Sequence, residues 1–475
     1  MNVLNLLAKE STITNTKGGQ YYATTYNHNL DFFVMTKRYM DEKAVVSLFA
    51  NALSEDQKLA VYNLLYTLDI RDGKGERREF KLCFRYLCQK YPSLAVKVLP
   101  LIGTLGRYDY ILEGMNTPIE KAVVALIKET LEKDIESEHP TLLAKWLPSH
   151  RNHNVNSSMA KLIMKRLGYS EKEYRKLLSA LRNKIKIVEK SLTNKDYDNI
   201  NFEEVPCKAM LKYQDLFREK ITERYENYKA LTSNGEAQIN TKGLFSYEII
   251  KKIIRQNYDE ELLDLMWKNQ KDLIGENEQN VLVVADTSGS MYSYDMLPIS
   301  SALGLAVYFA ERNKGIFQNH FITFSSRPKL QKIVGNSIVE KINNIQSIVS
   351  TTDVDKVFEL LLNTAVKNKL NQNELPSHIL LISDMEFDDG VMSKGGTNFA
   401  GWKKAFEDKG YHLPKIIFWN VAGDTRGIPA IASDDVVMVS GFSNNIFESI
   451  INIEDFSPVE VMINTLSKYE KMIDF

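Results

Sequence analysis

The chain carries only three cysteines, Cys83, Cys88 and Cys207, and no Cys-x-x-Cys pair. It therefore has neither the even framework of a disulfide-stapled secreted domain nor the ligand spacing of a zinc finger, and the three read as buried thiols. Histidine is also scarce, seven in 475 residues. There is no His-Glu-x-x-His run, no Gly-x-Ser-x-Gly elbow and no Gly-x-x-x-x-Gly-Lys-Ser/Thr loop, which removes the zinc-peptidase, serine-hydrolase and P-loop nucleotidase classes. No apolar run approaches the ~20 residues of a membrane span. The start Met1-Asn-Val-Leu-Asn-Leu-Leu-Ala-Lys9 lacks the charged region and cleavage site of a secretory signal. A cytoplasmic protein without membrane contact and without enzymatic activity is expected. Low-complexity sequence is absent, and with 44% hydrophobic and 25% charged residues the chain can build ample cores. Its length suits two or three domains.

The net charge of −1 hides a polarity. Between Thr141 and Lys195 there are 13 Lys/Arg against 3 Asp/Glu, whereas from Asn277 to Phe475 there are 17 against 24. A basic part of this kind suits a polyanion. Apolar residues recur at three- and four-residue steps up to about 270. They predict helices at Asp31–Tyr39, Glu42–Ala52, Glu55–Leu68, Glu76–Lys90, Leu94–Leu101, Pro118–Glu136, Ser157–Leu167, Ser170–Leu192 and Tyr247–Arg255. Ser54 and Ser170 are predicted N-caps, and Gly168 a helix stop. Helix pairs without strands suggest an α-helical solenoid over 1–270. From 277 to 475 strands (281–286, 320–325, 378–384, 415–421, 436–440) alternate with helices (298–313, 355–368, 398–409, 444–451, 457–472), the pattern of a doubly wound α/β domain. The polar stretch Lys268–Gln279 is the expected joint.

The most informative motif is Val281-Leu-Val-Val-Ala-Asp286-Thr-Ser288-Gly-Ser290-Met291. A β-branched apolar run, suited to a buried parallel strand, delivers Asp-x-Ser-x-Ser where open α/β sheets bind ligands. One carboxylate with two hydroxyls suits a hard cation, Mg²⁺ or else Mn²⁺ or Ca²⁺, that keeps a coordination position open for a partner's carboxylate. The plain alternative is a Ser/Asp-rich helix cap. The motif resembles the metal-ion-dependent adhesion site of von Willebrand factor A (vWA) domains. That resemblance implies two more ligands on later loops: Thr352 in Ser350-Thr-Thr352-Asp-Val-Asp, with Thr351 next in order, and Asp384 at the end of His378-Ile-Leu-Leu-Ile-Ser-Asp384. Gly395-Gly-Thr397 looks like another form of the Thr loop but follows Asp384, out of order. The carboxylates of Asp384-Met-Glu386-Phe-Asp388-Asp389 could assist hydrolysis near a metal, although loop solvation explains them more simply.

A helical region followed by a vWA domain resembles the architecture of the Ro autoantigen, a TROVE-domain RNA-binding protein. It is more similar still to the TROVE-like family of vWA-containing proteins in bacteria, phages, fungi and plants. The segments that carry the likeness are Leu68-Asp-Ile-Arg71-Asp-Gly-Lys74-Gly-Glu-Arg77-Arg78, Gly106-Arg107-Tyr108-Asp109, Leu143-Ala-Lys145-Trp146-Leu-Pro148-Ser, Tyr174-Arg-Lys-Leu-Leu-Ser-Ala-Leu-Arg182, Glu204-Val-Pro206 and Phe418-Trp419-Asn420. The resemblance implies HEAT-like helical repeats closed into a ring that takes single-stranded or structured RNA.

The residues themselves offer two basic patches. Arg71, Lys74, Arg77 and Arg78 surround two glycines at a helix entry, where backbone N–H groups and cations could meet a phosphate; salt bridges around a structural turn are the equal alternative. The second patch holds Lys145, His150, Arg151, Lys161, Lys165, Arg166, Arg175, Lys176, Arg182, Lys184 and Lys186, with Arg107 added from the TROVE-like segment Gly106-Arg107-Tyr108-Asp109. Trp146, His150 and His153 are candidates to stack on unpaired bases, against a core role for Trp146. The expectation is thus an RNA-binding protein, monomeric, whose cation site recruits a protein partner; the alternative is a protein-interaction scaffold that never meets nucleic acid.

Overall fold

The computed structural model describes residues 12–14, 20–150, 157–185, 187–275, 280–323, 327–345, 353–385, 398–422, 427–429, 436–447, 450 and 457–475. Helices dominate as far as Lys268, and from Val281 strands alternate with helices, so a helical region is followed by an α/β region. The strands are β1 (Thr12–Thr14), β2 (Gln20–Tyr22), β3 (Val281–Ala285), β4 (His320–Thr323), β5 (Lys329–Lys332), β6 (His378–Ser383), β7 (Lys415–Asn420) and β8 (Val436–Ser440).

Strands β1 and β2 pair antiparallel, and the other six form one mixed sheet in the order β5-β4-β3-β6-β7-β8. Its pairings are parallel except that of β4 with β5. The parallel strands are continuous apolar runs because both faces are covered: every residue of β3 and of β8 is buried. Each such Val, Leu or Ile contributes about 1.5–3 kcal/mol relative to an exposed one. Strand β5, Lys-Leu-Gln-Lys, lies at the edge with its lysines in solvent, a composition that discourages pairing with another chain.

Packing gathers the chain into two compact units. One comprises Met1–Leu59 with Pro206–Ser467, the other Ala60–Val205 with Lys468–Phe475. The change of chain character between 270 and 277 falls inside the first. In that unit helix His28–Met35 packs on β8, and helix Ser246–Ile254 packs on helix Ser293–Arg312. Trp419 of β7 is fully buried, its ring N–H donating to the Gly441 carbonyl at 2.9 Å. In the second unit Phe80 and Phe84 stack at 5.5 Å between ring centres, and the Tyr469 hydroxyl donates to buried Asp69 at 3.0 Å.

Local details correct two expectations. The helix predicted over Ser170–Leu192 is two, Glu171–Lys184 and Val188–Asn194, because Ile185 and Ile187 take extended conformations that suit their β-branched side chains. Ser54 is no N-cap: it lies inside helix Glu42–Glu55 with its hydroxyl on the Asn51 carbonyl, and the Asp56 carboxylate accepts the Leu59 N–H instead. Ser170 does cap, in a reciprocal box with Glu173, and Gly168 ends the preceding helix at φ +75°.

Candidate cation site and basic helical face

Strand β3 runs into Asp286, whose N–H extends the ladder by donating to the Ile382 carbonyl of β6 at 2.8 Å. Strand β6 runs into Asp384 at the adjacent strand end. On one side of β3 the chain proceeds to β4 and β5, and on the other side lie β6, β7 and β8. The two aspartates therefore stand at the carboxyl ends of the strands where the order reverses, the crevice in which open sheets hold ligands.

Both carboxyls are buried, Asp286 fully and Asp384 at 3% exposure. Asp286 is gripped by neutral donors: the Ser288 N–H reaches Oδ1 at 2.8 Å and the Ser383 hydroxyl reaches Oδ2 at 2.6 Å. The Ser288 and Ser290 hydroxyls lie 3.1 Å apart on the same loop. Burial, and then the neighbouring Asp384 charge, push the Asp286 carboxyl up to about 6. Ser383 belongs to the candidate site without a mark in the sequence, since a serine before a strand-end aspartate has no distinguishing spacing. Its oxygen also accepts the Met385 N–H at 3.0 Å. Met385 itself has φ +60°.

Beyond Ser290 three consecutive residues, Tyr294, Asp295 and Met296, have positive φ, and Pro298 then falls near the start of the regular helix. That turn is held by ion pairs from Asp295 to Lys251 at 2.7 Å and to Arg255. Thr352 and its neighbour Thr351 lie outside the described residues, as do Glu386, Asp388, Asp389 and Gly395-Gly-Thr397. Among the described residues no three His, Cys, Asp or Glu side chains gather in metal-binding range. The described part of the candidate set is two carboxylates and two hydroxyls.

The two basic patches both lie in the second unit. In the first, Lys74 is turned inward at 1% exposure with its ammonium 5.9 Å from the Tyr66 ring centre, Glu76 and Glu79 are buried, and Arg78 pairs with Glu79 at 3.1 Å. Burial, and then Glu76, raise the Glu79 carboxyl. Gly73 packs so closely that a Cβ there would sit 2.2 Å from the Tyr66 carbonyl oxygen. Exposed Arg71 donates to the Thr104 carbonyl at 2.6 Å, and Arg77 is exposed. Glycine at 73 serves backbone packing, and of the four cations Arg71, Arg77 and Arg78 are exposed while Lys74 is buried.

In the second patch many cations already have internal work. Arg182 donates to the Ala144 carbonyl, the Ser149 hydroxyl and the Leu147 carbonyl at 2.7, 2.6 and 2.7 Å, tying down the end of the short helix Leu143–Trp146. Arg107 grips Asp109 through two bonds of 2.9 and 2.6 Å while its guanidinium lies 3.7 Å from the Trp146 ring centre. One face of Trp146 is thus occupied. Lys145 pairs with Glu189 at 3.4 Å, His150 with Glu171 at 3.0 Å, and Arg166 with Glu120. Lys161, Lys165 and Arg175 are exposed, as are Lys172 and Lys176, and the helices that carry them, Ser157–Leu167 and Glu171–Lys184, pack together. Arg151, His153 and Lys186 lie outside the described residues. No helix among the described residues is long and apolar enough to cross a membrane.

Residues 280–472 match the domain of unknown function DUF7788, and residues 119–286 match the domain of unknown function DUF2828. The chain is also similar to the uncharacterized protein L728 of Acanthamoeba polyphaga mimivirus. The two are 27% identical over 499 aligned residues, which cover 95% of this chain and 86% of the viral one.

Proposed function

We propose that the α/β region is a vWA-like module that binds a divalent cation, Mg²⁺ in the first instance, and through it a carboxylate of a protein partner. The observation that carries this reading is the pair of buried carboxyls, Asp286 and Asp384, at the reversal of strand order. Two buried acids side by side are costly, and a cation offsets that cost. Among the described residues the side-chain atoms offered as ligands are oxygens, as a hard cation requires. Asp286 and Asp384 would supply the charge, and Ser288 and Ser290, with Thr352 as the vWA resemblance implies, the neutral oxygens. The role is binding rather than catalysis. Titration of the full chain with Mn²⁺ by calorimetry tests it: the parent takes up one ion, and Asp286→Ala takes up none. Equal uptake by the two would overturn the reading.

A second reading concerns the helical region, which we propose to be TROVE-like and to bind RNA through its backbone phosphates. The exposed cations Lys161, Lys165, Lys172, Arg175 and Lys176 on two packed helices favour it. The internal pairing of Arg107, Lys145, Arg166 and Arg182 narrows the face that remains and favours the scaffold alternative. Filter binding of single-stranded and structured RNA at two salt concentrations separates them, because counterion release makes a phosphate contact salt-sensitive. No retention at low salt would leave the scaffold.

A further inference from the structure

We infer that Tyr21, far from the acidic loops in sequence, is a positioning residue of the cation site: its hydroxyl holds the Met385 carbonyl and thereby fixes Asp384 against Asp286. This rests on the cation reading above. The Tyr21 hydroxyl donates to the Met385 carbonyl at 2.5 Å across 364 positions of sequence, and Tyr21 is 1% exposed. Met385 is held from both sides, since its N–H donates to the Ser383 oxygen at 3.0 Å and the Ser383 hydroxyl donates to Asp286 Oδ2 at 2.6 Å. A line of hydrogen bonds runs from Tyr21 through Met385 and Ser383 to Asp286, with Asp384 enclosed between two of its members.

The backbone of Met385 gives the anchor a purpose. A φ of +60° is unfavourable for a methionine by about 1 kcal/mol or more, so the turn persists only where its surroundings over-determine it. Tyr21 is delivered there by β2, which is bonded across to Ile428: Tyr22 and Ile428 exchange backbone bonds at 3.0 and 2.9 Å. The neighbouring Gly427 has φ +83°, and a Cβ on it would lie 2.6 Å from the Tyr21 Cβ and 3.0 Å from the Tyr22 carbonyl oxygen. Glycine at 427 is what allows Tyr21 to lie close enough.

The test compares the full chain with Tyr21→Phe, which removes only the hydroxyl, with Gly427→Ala, which pushes Tyr21 away, and with Tyr26→Phe, an exposed tyrosine on the same segment. Each is titrated with Mn²⁺ and melted in EDTA. Groups that orient ligands typically contribute 10- to 100-fold to metal affinity. Tyr21→Phe is therefore expected to bind Mn²⁺ about tenfold more weakly and to melt somewhat lower without metal, because the buried Met385 carbonyl loses its donor; Gly427→Ala should also weaken binding, and Tyr26→Phe should match the parent. A purely structural tyrosine would move the melting temperature and leave the affinity alone. Tyr21→Phe with parental affinity overturns the inference while leaving the cation site standing, and if that variant does not fold, parental affinity in Gly427→Ala does the same. A parent chain that takes up no Mn²⁺ overturns both.

Discussion

The Ser383 hydroxyl donates to Asp286 Oδ2 at 2.6 Å, joining the ends of two neighbouring parallel strands through side chains. This bond favours the charged carboxylate, yet burial and the charge of Asp384 outweigh it, and Asp286 stands at about 6. The metal-free protein holds that charge at a cost.

The cost has a pH signature. With the folded value near 6 and the unfolded value near 3.9, the folded state binds the extra proton between those limits. Stability of the metal-free chain should thus fall as pH rises from about 4 to about 6 and level off above, a contribution of order 3 kcal/mol. Asp286→Asn lacks this contribution. Urea melts in EDTA should show it more stable than the parent at pH 7.5, with the gap closing by pH 4, and Mg²⁺ should stabilise only the parent. A parent with no such loss on raising pH contradicts the charge arrangement.

The exposed basic face predicts a salt effect. Replacing Lys161, Lys165, Arg175 and Lys176 together with Gln removes four potential phosphate contacts. Affinity for single-stranded RNA should drop by roughly one to two orders of magnitude, and the slope against log salt should flatten by about 3. Filter binding at several salt concentrations measures both, and Mn²⁺ uptake should be unchanged.

Arg182 belongs to another class. Its three bonds satisfy two backbone carbonyls and a hydroxyl, so Arg182→Gln is expected to destabilise its unit by about 2–4 kcal/mol, whereas Lys161→Gln should stay within about 0.5 kcal/mol. Denaturant midpoints distinguish them. If Arg182→Gln weakens RNA binding without any loss of stability, the arginine faces the ligand after all.

Gly73 supplies a further check on the first basic patch. Alanine there would force its Cβ against the Tyr66 carbonyl, and the backbone shift should cost about 1–3 kcal/mol. A neutral Gly73→Ala in the same melts would reopen the loop as a phosphate cradle.

What the sequence made legible follows the range of the forces involved. Apolar runs mark β3, β6, β7 and β8 because burial of both faces leaves few polar positions between their ends, and the strand-end aspartates then come at known places. Strand β5 was not legible: Lys-Leu-Gln-Lys carries no burial pattern, and only its pairing with β4 makes it a strand. Tyr21 and Ser383 escaped notice because their partners lie hundreds of residues away or on a neighbouring strand. The cations were countable but their partners were not, so Arg182 and Arg107, which work inside the fold, looked the same as Lys161 and Arg175, which face solvent.

The interleaving of the two compact units bears on how the chain is made. Multidomain proteins usually complete their domains one after another as the chain emerges from the ribosome. Here residues 1–59 must wait for 206–467 before their unit can close, and residues 60–205 receive 468–475 only after the whole of 206–467 has been made. Tyr21 is made 364 positions before the Met385 carbonyl that it meets. Through that interval β2 has its partner β1, but its bonds to Ile428 and the Tyr21 hydroxyl wait for theirs, a period in which a chaperone would find a binding site that the finished protein hides.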